Sequence, residues 1–156
     1  MAVRVVAFEA RFAAAFAALN YQWIEQYFAI EKEDRLALDN PVKYALAPGG
    51  EIFFLLEDDE PVGTVAMVPK SKMPGSLFEL AKMAVRPDRQ GRGYGRMLMD
   101  RCISYAREQG AAEVMLVTND ILKPAMGLYR AAGFEAIAQI QDARYERGNT
   151  EMYLKL

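Results

Sequence analysis

Gln90-Gly91-Arg92-Gly93-Tyr94-Gly95 is the stretch on which the reading of this chain turns. Upstream, Ser76 to Val85 reads as a long strand ended by Arg86-Pro87. Downstream, Gly93 to Gln109 reads as a long helix, with Gly110 past its end as a C-cap. Glycines let the backbone between them turn tightly, and the missing Cβ atoms let its N–H groups approach a ligand. A helix N-terminus adds unpaired amides and about half a positive charge. From Arg86 to Arg101 five arginines stand against Asp88 and Asp100, a local excess of +3 in a chain of net charge −2. Together these features predict a phosphate or pyrophosphate site. The plainer alternative is a glycine-rich turn beside a solvated basic helix. The third glycine arrives one residue early for the dinucleotide fingerprint, and without Gly-Lys-Ser/Thr this is not the nucleoside-triphosphate loop.

Composition narrows the chemistry further. The chain has 156 residues, 53% apolar and 26% charged, the balance of one soluble globular domain. It contains no histidine, which excludes Ser-His-Asp and Cys-His triads and His-bearing zinc sites. The single cysteine, Cys102, excludes an internal disulfide and shares a helix face with Leu98, Tyr105 and Ala106, a core position. Acid–base work falls to Glu, Asp, Tyr, Lys, Ser, backbone amides or a bound cofactor. The acidic total charge and the lack of a nucleic-acid module argue against a polyanion partner. No apolar run reaches the ~20 residues that cross a bilayer, and Met1 to Val6 lacks the pattern of a signal peptide. A cytoplasmic protein without membrane attachment is expected.

Hydrophobic pattern fills in the remaining elements. Val3 to Phe8 reads as a strand, and Phe12, Phe16 and Leu19 at helical spacing as a helix that Tyr21 to Phe28 extends or follows. Glu31 to Asp39 is a short polar helix stopped by Asn40-Pro41. Glu51 to Glu57 and Pro61 to Val68 form a hairpin, and its acidic turn, Glu57 to Glu60, reads as a solvated tip. Ser71 to Gly75 is a loop. Glu113 to Thr118 is a strand and Ile121 to Ala132 a helix stopped by Gly133. Phe134 to Ile140 and Thr150 to Leu156 are the last strands. The order β-α-α-β-β-β-α-β-α-β-β predicts an α/β fold with a mixed sheet and helices on its faces.

Three segments of this order resemble the GNAT superfamily of acyl-CoA-dependent N-acetyltransferases. Gln90 to Gly95 is similar to that family's Q/R-x-x-G-x-G/A pyrophosphate loop. Glu79-Leu80-Ala81-Lys82-Met83-Ala84-Val85 is similar to the strand running into it. Ala125-Met126-Gly127-Leu128-Tyr129-Arg130-Ala131-Ala132-Gly133-Phe134 is similar to its A-x-x-L-Y-x-x-x-G-F segment. The resemblance covers nearly the whole chain and is least specific over the first fifty residues. It implies a GNAT-like fold and a single N-acetyltransferase domain over residues 1–156.

The resemblance also implies roles. The fourth and fifth strands would splay, and the pantetheine arm of acetyl-CoA would pair with the backbone of Met83-Ala84-Val85. Gln90, Gly91, Arg92, Gly93, Tyr94, Gly95 and Arg96 would hold the pyrophosphate, with Arg89 and Arg92 best placed to meet its oxygens. Ala125 and Tyr129 belong to the helix on the other side of the arm. Asn119 stands near the place of a family asparagine that meets the pantetheine amides, although the expected position here holds Leu122. Tyr129 would donate a proton to the leaving sulfur; its alternative is packing beside Leu128 and Phe134. Glu79 would be the general base, reaching the amine directly or through water, since Met83 lies roughly 13 Å along an extended strand. A solvated or lysine-paired carboxylate is the alternative there.

The implied reaction is transfer of the acetyl group of acetyl-CoA to a primary amine by direct attack within a ternary complex, with no metal. A non-catalytic acyl-CoA-binding sensor is the competing class. The acceptor, a small-molecule or peptide amine, would be walled by Tyr21, Trp23, Tyr27, Tyr145, Glu146 and Arg147. Homodimers are frequent in the family.

Overall fold

The computed structural model describes residues 2–70, 76–139 and 147–156. The expected Ser71–Gly75 loop lies outside these residues, as do Tyr145, Glu146 and the end of the expected strand at Ile140. One seven-stranded sheet runs in the order β1-β2-β3-β4-β5-β7-β6. Its strands are β1 (Val3–Ala7), β2 (Glu51–Glu57), β3 (Glu60–Pro69), β4 (Leu77–Val85), β5 (Glu113–Thr118), β6 (Glu135–Gln139) and β7 (Thr150–Lys155). All neighbours pair antiparallel except β4 and β5, which are parallel. The helices are α1 (Ala13–Tyr27), α2 (Lys32–Leu38), α3 (Tyr94–Glu108) and α4 (Lys123–Ala131).

β2 shows why the sheet is covered on both faces. Its run Ile52-Phe53-Phe54-Leu55-Leu56 is apolar without alternation, and all five residues are buried. Phe53 and Leu55 join Leu98, Met99, Cys102 and Ile103 of α3 in one core. Ile52, Phe54 and Leu56 join Phe16 and Ile24 of α1 and Leu38 of α2 in a second. Cys102 is fully buried among apolar neighbours, as expected, and burial pushes its thiol well above the ordinary range.

The predicted order of elements is the observed one. Tyr21 to Tyr27 extends α1 rather than forming a separate helix. Beyond Pro41 the chain makes a turn of π-helix over Val42–Leu46, which the sequence pattern did not indicate. The hairpin tip needs a correction. Asp58, Asp59 and Glu60 are exposed, but Glu57 is only 5% exposed, because arginines and a tyrosine from the glycine loop close over it.

Candidate active site

β4 and β5 share only three register pairs, Leu77 with Glu113, Phe78 with Val114 and Glu79 with Met115. Beyond these, β4 continues to Val85 and β5 to Thr118 without pairing to each other. The separation coincides with a bulge in β4. Ala81 pairs with Ala66 and Ala84 with Thr64, so two β4 residues oppose one on β3. Lys82, one of the two, adopts a left-handed φ of 55°. Past the bulge, the Arg86 amide donates to the Val62 carbonyl at 2.8 Å. Gly63 and Val85 are therefore a non-hydrogen-bonded pair, and the N–H and C=O of Val85 point away from β3, toward the gap. The Gln90 side-chain amide donates to that carbonyl at 3.2 Å. Ala84 faces the other way in register, and its side chain is buried in the sheet.

A cavity of about 850 Å³, its open mouth included, occupies the gap. Glu79, Lys82 and Met83 line it from β4, Thr118 and Asn119 from the end of β5, and Tyr129 from α4. The structure thus brings Glu79, Met83, Asn119 and Tyr129 to one space. Glu79 is 4% exposed and stands 3.5 Å from Lys70 Nζ, so its carboxylate is lysine-paired at the closed end of the gap. Tyr129 packs edge-on against Phe134 with ring centroids 6.3 Å apart. Burial pushes its phenol up to about 12, against the opposing effect of the Thr118 hydroxyl, so at neutral pH it carries its proton. Packing and donation are compatible here.

The loop before α3 turns on two left-handed glycines. Gly91 and Gly93 have φ of 79° and 80°, and Gly93 is the N-cap of α3. The first amide bonded within the helix belongs to Met97, donating to Gly93 at 3.1 Å, which leaves the N–H groups of Gly93 to Arg96 without helical partners. A Cβ on Gly91 or Gly93 would meet nothing within 4 Å, so open space lies over these amides. Gly95 differs. A Cβ there would stand 3.2 Å from Leu128 Cδ2, so this glycine serves the contact between α3 and α4.

The positive charge counted along the sequence does not survive folding. Arg86 bonds Glu60 and Asp88, Arg89 bonds Glu57 and Asp88, and Arg92 bonds Glu57. Arg96 pairs with Asp100 and Arg101 with Glu108. Five arginines face five carboxylates, three of them supplied from outside the loop or from the far end of the helix. Arg89 is held at 2.6 Å by Glu57, whereas Arg92 is more exposed and 3.3 Å from it. The Tyr94 hydroxyl also donates to Glu57, which keeps that side chain in the core and leaves Tyr94 its backbone amide to offer. That donation and the Arg89 guanidinium hold the Glu57 carboxyl below its ordinary range. What the loop offers to an anion is therefore backbone amides before net charge.

Asn119 is engaged at both ends. Its Nδ2 donates to the Arg147 carbonyl at 2.8 Å, and its Oδ1 accepts from the Ile121 amide at 3.0 Å. It braces the chain leading into β7, and these bonds use one of the two Nδ2 hydrogens and one of the two Oδ1 lone pairs. Ala125 sits in the first turns of α4, partly buried. Of the expected acceptor walls, Trp23 and Arg147 line the cavity, while Tyr21 donates to Asp39 at 2.8 Å and Tyr27 is half exposed.

The sequence reading passed over a buried ionic cluster at this cavity. Asp34 of α2 accepts from Lys82 Nζ at 2.7 Å, from Arg147 Nη1 and Nη2 at 2.9 and 2.6 Å, and from the Glu31 amide at 2.8 Å. Arg147 also bonds Glu31 Oε2 at 2.9 Å. Burial opposes ionisation of Asp34, but the bonds from Arg147 and Lys82 outweigh it and lower its pKa to about 2. Burial pushes the Lys82 ammonium down while Asp34 pulls it up. The sequence held one signal, a lysine inside an otherwise apolar stretch of strand.

The GNAT acetyltransferase family model matches residues 16–134. The chain belongs to this family. Human N-acetyltransferase 8B is 32% identical over 108 residues, which cover 67% of the chain and 48% of that protein. The chain thus spans about half the length of the curated relatives it matches. An acetyltransferase of the GNAT family from Staphylococcus aureus superposes with a TM-score of 0.86 at 20% identity, covering 99% of both chains. An N-acetyltransferase of Thermoplasma acidophilum, solved in complex with coenzyme A, gives 0.78 at 13% identity over all of both chains. These two likenesses establish the GNAT fold expected from the motifs. Among the described residues no group of carboxylates or Cys102 is arranged to hold a metal, and no helix is long and apolar enough to cross a membrane.

Proposed function

We propose that this GNAT chain transfers the acetyl group of acetyl-CoA to a primary amine by direct attack. The observation that carries the reading is the gap between β4 and β5, which holds Glu79 and Tyr129 on one cavity. β4 leaves that cavity for the glycine loop, whose unpartnered amides suit a pyrophosphate. The strand backbone at Met83 and Val85 offers bonds to the amides of a pantetheine arm, as a further strand would.

An alkylamine near neutrality is mostly protonated, with a pKa of about 10.4 for a lysine-like group. Glu79 accepts that proton, directly or through water, and the free amine attacks the thioester carbon. The new C–N bond forms as the C–S bond breaks, Tyr129 protonates the departing sulfur, and the proton the acylated nitrogen then loses passes to solvent, from which the phenolate is re-protonated. Its raised pKa keeps the proton in place until the sulfur takes it. The test is thiol release from acetyl-CoA with a panel of primary amines. Release dependent on one class of amine supports the reading. Tight acetyl-CoA binding with no release from any amine would leave a binding protein instead.

A further inference from the structure

Beyond Glu79 and Met115 no backbone bond joins the two arms of the gap, yet they are tied by another route. Lys82 on β4 donates to Asp34, Asp34 accepts both terminal nitrogens of Arg147, and the Arg147 carbonyl accepts from Asn119 at the end of β5. We infer that Asp34 is a positioning residue that sets the opening between β4 and β5, holding one arm through Lys82 and the other through Arg147 and Asn119. The inference rests on the proposed use of that gap by acetyl-CoA.

Three observations carry it. Asp34 is 0% exposed, and its four accepted bonds fill the lone-pair positions of a carboxylate, so it neither touches a ligand nor serves as a base. It is itself anchored, because its bond from the Glu31 amide is half of a capping box that fixes the start of α2. Lys82 has no intrinsic preference for a left-handed φ of 55°, so contacts beyond the residue itself, the flanking β3 pairs among them, hold the bulge in β4. The 2.7 Å bond to Asp34, between side chains 7% and 0% exposed, is such a contact. Arg147 is fixed on a second side by Glu31 and lies 5.8 Å from the Phe28 ring centre.

The experiment is acetyl-CoA binding by calorimetry, without acceptor, to the full chain and to Asp34→Asn, Lys82→Met and the double variant. Thermal melts fix a temperature at which each is folded. Remote coupling of this kind changes affinity roughly tenfold. Each single variant should weaken acetyl-CoA binding by that order, and the double variant should be no weaker than the worse single one, because the two side chains act as one unit. A role confined to stability would lower the melting point and leave the dissociation constant at the parent's value, which overturns the inference. Should Asp34→Asn fail to fold, Lys82→Met and Arg147→Met decide the matter, because each leaves Asp34 its bonds to the other. Failure of the parent to bind acetyl-CoA would take down the proposed function first and this inference with it; a binding parent with unaltered variants takes down the inference alone.

Discussion

Glu79 pairs in register with Met115, and this is the last rung between two strands that run side by side for only three residues. One side chain at the closing point of the gap is thus a buried carboxylate whose lysine partner, Lys70, extends from beyond the end of β3. Where the parallel ladder stops, the backbone of β4 turns its bonding groups to whatever enters the gap. The chemistry proposed for the chain is concentrated at that boundary.

Replacing Gly93 by valine should abolish acetyl-CoA binding and leave the fold intact. The left-handed φ of 80° costs an L-residue about 1–2 kcal/mol, well within the stability of a domain. The valine Cβ would meet no protein atom within 4 Å, so the branched side chain would occupy open space at the loop proposed to hold the pyrophosphate. Calorimetry with circular dichroism checks both halves. Parent-like binding would remove the loop from the proposed site.

Tyr129→Phe should lower the maximal rate on the order of a hundredfold while barely changing acetyl-CoA affinity. The ring contact with Phe134 survives and only the hydroxyl is lost. With the phenol near 12, any fall in rate between pH 8 and 10 must come from another group and should persist in the variant. An unchanged maximal rate would leave Tyr129 as a packing residue.

Glu79→Gln should slow transfer most at low pH, where the acceptor amine is protonated and needs a base, and recover as pH rises. The ratio of parent to variant rates across pH measures it. A ratio independent of pH would argue that Glu79 orders the gap through Lys70 and takes no proton.

Acid should loosen the fold through Asp34. Its folded pKa, about 2, lies below the ordinary 3.8, so its ion pairs stabilise the protein above that ordinary value. That contribution is lost as pH falls from roughly 4 through 2. Urea midpoints across this window should fall more steeply for the parent than for Asp34→Asn. Equal slopes would show that the cluster is not what acid dissolves.

Much of this was legible locally. The glycines at positions 91 and 93 announce a turn that only left-handed residues make, and the unbroken apolar run of β2 announces burial on both faces. Glu79 and Tyr129 were placed by motifs, and the fold brings them to one cavity. What sequence could not carry was which charges meet. Glu57 lies 32 residues from Arg89, and Asp34 lies 113 from Arg147, so neither contact leaves a periodic trace. Glu57 sits in a run of acidic residues, and Asp34 in a polar helix, where composition suggests water. The arginine excess near the loop was cancelled the same way, by carboxylates distant in sequence.

Gly95 faces Leu128 of α4 so closely that a side chain there would make Leu128 give way by a few tenths of an ångström, and the next residue along is Tyr129. The glycine loop proposed for the nucleotide end of the cosubstrate and the phenol proposed for its thioester end are therefore one side-chain contact apart along the chain of packing. If that contact transmits the position of the loop, a nucleotide seated askew should disturb the phenol as well. Analogues altered only in their phosphates should for that reason be penalised in turnover as well as in affinity.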